Sequence, residues 1–226
     1  HFDYNLALES VLERTGKHDL LQVAREVAEM VNIISVRQKR QLGLGHAVLC
    51  AREVVKNEPF ALMVGDDLMF NVDPGIKQLL RVAESEHMAV VGVMPVPEHK
   101  VSSYGVIRGE EIGPDMYRVR DLQEKPSSGE AASRLAIVGR YILTPNVFDH
   151  LHDLCAGHPD EEIQLTEALQ VMAKHNKLLA VRLRGMRFDI GDWVDYLIAN
   201  IYFGLQDEEL RDDLVQRLHE LVPPPS

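Results

Sequence analysis

Nine residues, Pro59-Phe60-Ala61-Leu62-Met63-Val64-Gly65-Asp66-Asp67, constrain this chain more than any other stretch. The apolar run between Pro and Gly is too short for a helix and reads as a strand buried on both faces, the pattern of a parallel sheet covered by helices. Two carboxylates follow at once. Open α/β sheets bind ligands beyond the carboxyl ends of their strands, so Asp66 and Asp67 arrive where such folds do chemistry. A hard cation such as Mg²⁺, held by one or two carboxylates and substrate phosphates, suits that place. The plainer alternative is a polar turn in which Asp67 caps the next helix.

The neighbouring segments extend the pattern. Leu8, Val11 and Leu12 predict a helix over Asn5–Thr15, and Leu20, Val23, Ala24 and Val27 a second over Asp19–Met30. Asn32–Arg37 reads as a strand. It leads through Gly43-Leu44-Gly45-His46-Ala47 into a helix, where glycines at a helix N-terminus let backbone approach a nucleotide or simply make the turn. Pro74 opens a helix that carries Ile76, Leu79 and Leu80, and Met88–Met94 is an apolar strand. Repetition of strand, helix and strand implies an α/β fold: a Rossmann-like mixed, mostly parallel sheet flanked by helices.

A small antiparallel excursion follows, with Tyr104–Arg108, a turn at Gly109, and Tyr117–Arg120 as hairpin strands. It ends at Glu124-Lys125-Pro126. Neighbouring side chains of an extended segment point to opposite sides, so Glu124 and Lys125 can address different parts of one ligand, or form a solvated charged loop. Leu135–Leu143 is a strand interrupted by Gly139, where a side chain would block something close to the backbone. His150, His152, Cys155 and His158 raise a metal site, but Val147, Phe148, Leu151 and Leu154 explain the same segment as an amphipathic helix. Leu178–Leu183 is a strand, and Asp189 then stands beside a glycine ahead of a helix over Trp193–Leu205. Asp189 and Asp66 can therefore meet over one crevice. A last helix over Glu208–Leu221 precedes a tail at Pro223-Pro224-Pro225.

The charge balance narrows the function. With 24 Lys and Arg against 35 Asp and Glu, the formal charge of −11 lacks the basic footprint of a nucleic-acid binder. An anionic ligand must be held locally. No apolar run is long enough for a transmembrane helix, and the first residues lack a signal-peptide pattern, so a cytoplasmic setting is expected. Cys50 and Cys155 fit that setting as reduced thiols.

Taken together, the motifs resemble the sugar-nucleotide nucleotidylyltransferases, on the branch that transfers a uridylyl group to glucose-1-phosphate. The resemblance runs from His1-Phe2-Asp3 to about Leu205. It rests on Arg37-Gln38, Gly43-Leu44-Gly45-His46-Ala47, Gly65-Asp66-Asp67, Tyr104-Gly105, Glu124-Lys125-Pro126, Gly139-Arg140-Tyr141, Glu162-Ile163-Gln164-Leu165-Thr166 and Phe188-Asp189-Ile190-Gly191.

The resemblance implies the nucleotide-diphospho-sugar transferase fold over residues 1–205, with 206–226 as a C-terminal helix and tail. It implies that Gln38 and the Gly43 backbone hold uracil, that Asp66 and Asp189 bind Mg²⁺, and that Gly105 and Glu124 hold the glucose hydroxyls. Lys125 would neutralise glucose-1-phosphate, and Val138 and Gly139 would line the sugar pocket. The implied substrates are UTP and glucose-1-phosphate, the product UDP-glucose, and the implied assembly a homo-oligomer, dimer or tetramer. The family pattern opens with a strand and a Gly-x-Gly-Thr-Arg loop around the triphosphate, which has no counterpart in this sequence. The expectation is that the chain corresponds to the larger C-terminal part of such an enzyme, with little turnover by itself. A related thymidylyltransferase and a non-catalytic regulatory subunit remain as alternatives.

Overall fold

The computed structural model describes residues 3–127 and 129–221; the proline tail expected at 223–225, and His1 and Phe2, lie outside them. The chain divides into two compact units, His1–Lys39 and Arg40–Ser226.

The first unit is a pair of helices, α1 (Leu6–Arg14) and α2 (His18–Met30). Both were predicted. The Asn5 side chain caps α1 by accepting from the Leu8 N–H at 3.0 Å. Gly16, at φ 68°, makes the turn between the helices. Leu12 and Leu21 are buried, and Arg25 bonds Glu9 across the pair at 2.8 Å. The strand expected over Asn32–Arg37 does not form: 31–38 carry no regular structure, and Ile33, Ile34 and Val36 are exposed. Their β-branched content suits a strand, but a strand lasts only where a neighbour takes up its backbone groups.

The second unit holds α3 (Gly43–Cys50), α4 (Arg52–Val55), β1 (Phe60–Met63), β2 (Asp67–Phe70), α5 (Gly75–Glu86), β3 (Ala89–Pro95), β4 (Gly105–Gly113) and β5 (Met116–Glu124). It continues with β6 (Leu135–Leu143), α6 (Val147–Gly157), α7 (Leu165–Lys174), β7 (Leu178–Arg182), β8 (Met186–Asp189), α8 (Trp193–Gln206) and α9 (Arg211–Leu221). Six strands form one sheet in the order β1-β6-β3-β7-β5-β4, and β2 pairs with β8 in a separate ribbon.

The mixed, helix-flanked sheet is as expected, but its strands are not mostly parallel. Among the described residues only β3 and β7 pair in parallel; the other pairings are antiparallel. The helical connection through α5 does set β1 and β3 running the same way, since both are antiparallel to β6. Hydrophobic rhythm thus reports strand direction across a helix, and it is silent about which later strand fills the gap between. For the same reason the Phe60–Met63 strand is not buried on both faces. It stands at the sheet edge, with alternate residues exposed.

β3, like β6 and β7, is buried on both sides. Val91 and Val93 pack with Phe148, Leu151, Leu169 and Met172 on the α3, α6 and α7 face, while Val90 packs with Leu79, Val138, Ile142 and Leu179 toward α5. The β4–β5 hairpin is present, but it turns at Pro114-Asp115 rather than at Gly109. Gly109 lies inside β4 at a register shift, where a Cβ would meet the Arg118 carbonyl at 2.8 Å. The histidine-bearing segment forms α6 with Val147, Phe148 and Leu151 buried. Among the described residues, no group of three His, Cys, Asp or Glu is placed to hold a metal.

Candidate active site

A cleft of about 290 Å³ opens where β1, β5 and β8 end and where β4 and α7 begin. It collects Asp66, Gly105, Glu124, Lys125, Gly139 and Asp189, six residues expected from sequence, together with Asp67, Tyr104, Gln164, Thr166 and Arg187.

The carboxylate side is built by the β2–β8 ribbon. Its register sets Asp67 opposite Asp189, and the Ile190 N–H donates to the Asp66 carbonyl at 2.8 Å, pinning the loop before β2 to the segment after β8. A Cβ placed on Gly191 would lie 3.2 Å from Asp189 Oδ1 and 3.9 Å from Asp66 Oδ2. Both carboxylates therefore border the place where a side chain on Gly191 would begin.

Asp189 Oδ2 is occupied otherwise: it accepts the Tyr104 hydroxyl at 2.6 Å and an Arg187 N–H at 3.4 Å. Arg187 also lies 4.8 Å from the Tyr104 ring centroid and donates through Nε to Asp67 Oδ1. Arg140 donates to the carbonyls of Val64, Gly139 and Asp67, which fixes the loop between β1 and β2.

The environment splits the two adjacent aspartates. Asp66 is exposed. Asp67 is buried, and burial pushes its carboxyl up, with the Arg187 guanidinium pulling back only part of the way. Burial, and then the bond to Asp189, also raise the Tyr104 phenol. Asp67 is thus neither a helix cap nor a free ligand. Gly139, at φ 30°, explains how it fits, because a Cβ there would stand 2.6 Å from Asp67 Oδ2. The obstruction expected opposite Gly139 is this carboxylate.

The other side of the cleft is polar and open. Gly105 pairs with Glu124 across the β4–β5 ladder, and a Cβ at Gly105 would meet Glu124 Oε2 and Thr166 Cγ2 at 3.1 Å each. Thr166, in the first turn of α7, donates its hydroxyl to Glu124 Oε2. Gln164 and Glu167 form a capping box at that helix start. Lys125 leaves β5 at φ 44° and donates its backbone N–H to the Tyr104 carbonyl at 3.1 Å.

Two expected residues of this unit stand elsewhere. The Val138 side chain does not reach the cleft: β6 turns Ile137, Gly139 and Tyr141 toward it, while Val138 is fully buried with Leu79 and Val90 on the opposite face. Gly43, at φ 82°, packs on another loop, since a Cβ there would lie 2.5 Å from the Ile163 carbonyl. Gln38 belongs to the first unit and is half-buried.

Two carboxylate oxygens facing one space, with the remaining Asp189 oxygen already bonded, make a hard donor set. Phosphate oxygens would complete it for a small divalent cation. The sequence profile of the nucleotidyl transferase family matches residues 7–203. The chain belongs to the nucleotidyl transferase family.

This nucleotidyl transferase is 42% identical over 221 residues to the UTP–glucose-1-phosphate uridylyltransferase of Staphylococcus haemolyticus, covering 98% of this chain and 76% of that protein. Its fold is similar to a UTP-bound UGPase from Acinetobacter baumannii, with a TM-score of 0.87 and 34% identity over 98% of this chain and 77% of that one. A UDP-glucose pyrophosphorylase complexed with UDP-glucose superimposes with a TM-score of 0.77 and 35% identity, covering 89% and 74% of the two chains. Nucleotidyl transferases generally use a divalent metal. Among the described residues, no helix is long and apolar enough to cross a membrane.

Sequence reasoning gives Tyr104, Thr166 and Arg187 no role, and reads Asp67 as a companion of Asp66 or as a helix cap. One signal was available for Arg187: residues two apart on a strand share a face, so Arg187 accompanies Asp189. Thr166 had the weaker signal of a hydroxyl in a helix first turn.

Proposed function

We propose that the protein joins UTP and glucose-1-phosphate into UDP-glucose and pyrophosphate. The observation that carries the reading is the single cleft holding Asp66, Asp189, Glu124 and Lys125 in a chain similar over nearly its whole length to UTP–glucose-1-phosphate uridylyltransferases. A phosphate oxygen of glucose-1-phosphate attacks the α-phosphorus of UTP, and the bond to the departing pyrophosphate breaks. No covalent enzyme nucleophile takes part.

The chain's task is to bring two anions together in line. Lys125 neutralises the sugar phosphate. Glu124, held by Thr166, accepts from glucose hydroxyls in the space that Gly105 leaves free, and Val138 contributes backbone alone beside Gly139. Gln38 and the Gly43 backbone hold the uracil. Asp66 and Asp189 hold Mg²⁺, which when bound supplies positive charge to the phosphate oxygens. Residues 1–205 carry the transfer, in keeping with the family match over 7–203, and 206–226 are accessory. The reading keeps a cytoplasmic setting and a homo-oligomer. Trp193, Val194 and Leu197, apolar and exposed on α8, support association, and light scattering should give a mass of two or four copies.

Full-length protein should release pyrophosphate from UTP only when glucose-1-phosphate and Mg²⁺ are both present, with UDP-glucose identified by ³¹P NMR. Release without the sugar phosphate, or equal rates with thymidine triphosphate, would contradict the reading. The acid and base at the end of β5 should separate in kinetics. Glu124→Gln should narrow the preference for glucose-1-phosphate over galactose-1-phosphate, whereas Lys125→Met should raise KM about tenfold or more for both. Parallel losses on both sugars in both variants would defeat that division.

A further inference from the structure

The two oxygens of Asp189 have unlike surroundings. Oδ1 accepts the Gly191 N–H at 3.2 Å and borders the space it shares with Asp66 Oδ2. Oδ2 receives the Tyr104 hydroxyl at 2.6 Å and the more distant Arg187 N–H. A carboxylate at a strand end can turn about its terminal torsion, which is broad and two-fold, so a donor dedicated to one oxygen decides which oxygen faces the cleft.

Tyr104 is itself held. Its backbone N–H donates to the Val101 carbonyl at 3.2 Å, its carbonyl accepts the Lys125 N–H at 3.1 Å, and its ring lies beneath the Arg187 guanidinium. One residue thereby touches both halves of the cleft, the carboxylates through its hydroxyl and the β5 end through its backbone.

We propose that Tyr104 is a positioning residue whose hydroxyl holds Asp189 with Oδ1 turned toward Asp66, so that both carboxylates address one divalent cation. This rests on the reading of Asp66 and Asp189 as cation ligands. Outer partners that orient a ligating group are commonly worth about tenfold or more in metal affinity. Tyr104→Phe is the clean variant, since it removes one hydroxyl and keeps the ring under Arg187.

The test is Mn²⁺ titration of the full chain saturated with UDP-glucose, followed by electron paramagnetic resonance, alongside UDP-glucose binding measured in EDTA. Tyr104→Phe should bind Mn²⁺ about tenfold more weakly while its EDTA affinity for UDP-glucose is unchanged. Unchanged Mn²⁺ affinity overturns the proposal. So do equal losses in both measurements, which would make Tyr104 a support of the cleft as a whole. Asp189→Asn separates the two levels: lost Mn²⁺ binding there with none lost in Tyr104→Phe sinks the positioning role alone. Normal Mn²⁺ binding in Asp189→Asn removes Asp189 as a ligand and the proposal with it.

Discussion

Asp66→Asn and Asp189→Asn are each expected to lower Mg²⁺-dependent turnover of the full-length protein at least about a hundredfold, the scale of roughly 3 kcal/mol of lost electrostatic stabilisation. Asparagine keeps the size and turn preference of aspartate and removes the charge. Both carboxylates border the space above Gly191, so either substitution halves the anionic donors available there. Asp66 is exposed and anchored through its carbonyl, so its variant should melt like the parent. Asp189→Asn brings an amide in place of an oxygen that accepts from Tyr104 and Arg187, and some loss of stability should accompany the loss of rate. Initial rates across a Mg²⁺ titration, with thermal midpoints measured in parallel, distinguish the cases. Near-parental turnover at limiting Mg²⁺ would remove that residue from the cation site.

Asp67→Asn should behave differently from its neighbour. Its carboxylate is turned to Arg187 and packed against Gly139, so its loss is felt first in the ribbon.

Much of this arrangement is legible along the chain because it depends on strand ends. A short apolar run followed by Gly65-Asp66, and an aspartate two residues before Gly191, point to two carboxylates at strand ends. Glu124 and Lys125 follow from the end of a hairpin strand. Gly139 is legible as an obstruction, though not what it makes room for. The less legible parts depend on which strands become neighbours. Asp67 and Asp189 lie far apart in the chain and meet only because β2 pairs with β8 outside the main sheet. Burial of Asp67, the bond from Tyr104 and the reversed partner of β1 all follow from pairings that periodicity does not specify. Val138 shows the complementary case. Alternation along β6 turns its side chain away from Gly139, and a motif carried over residue by residue misses that.

Arg187→Met is expected to cost about 3–5 kcal/mol of stability, the range for removing one partner of a buried ion pair. Arg187 and Asp67 side chains are each only 10% exposed, and burial already disfavours the Asp67 charge before its partner is taken away. Methionine fills much of the volume but offers no donor to either carboxylate it leaves behind. The Tyr104 ring would also lose the guanidinium above it. The decisive comparison is the double variant Asp67→Asn with Arg187→Met. If the pair is what holds the ribbon, removing both charges must cost less than the sum of the single changes, by more than about 1 kcal/mol in urea denaturation. Additive losses would show that the two side chains act independently. A single Arg187→Met variant within about 1 kcal/mol of the parent would show that the ribbon does not depend on the pair. Because that ribbon holds Asp66 and Asp189 side by side at one end, the stability loss should come with weaker cation binding, even though the substitution leaves both proposed cation ligands in the sequence. The buried pair then acts on the cleft by holding its carboxylates in register.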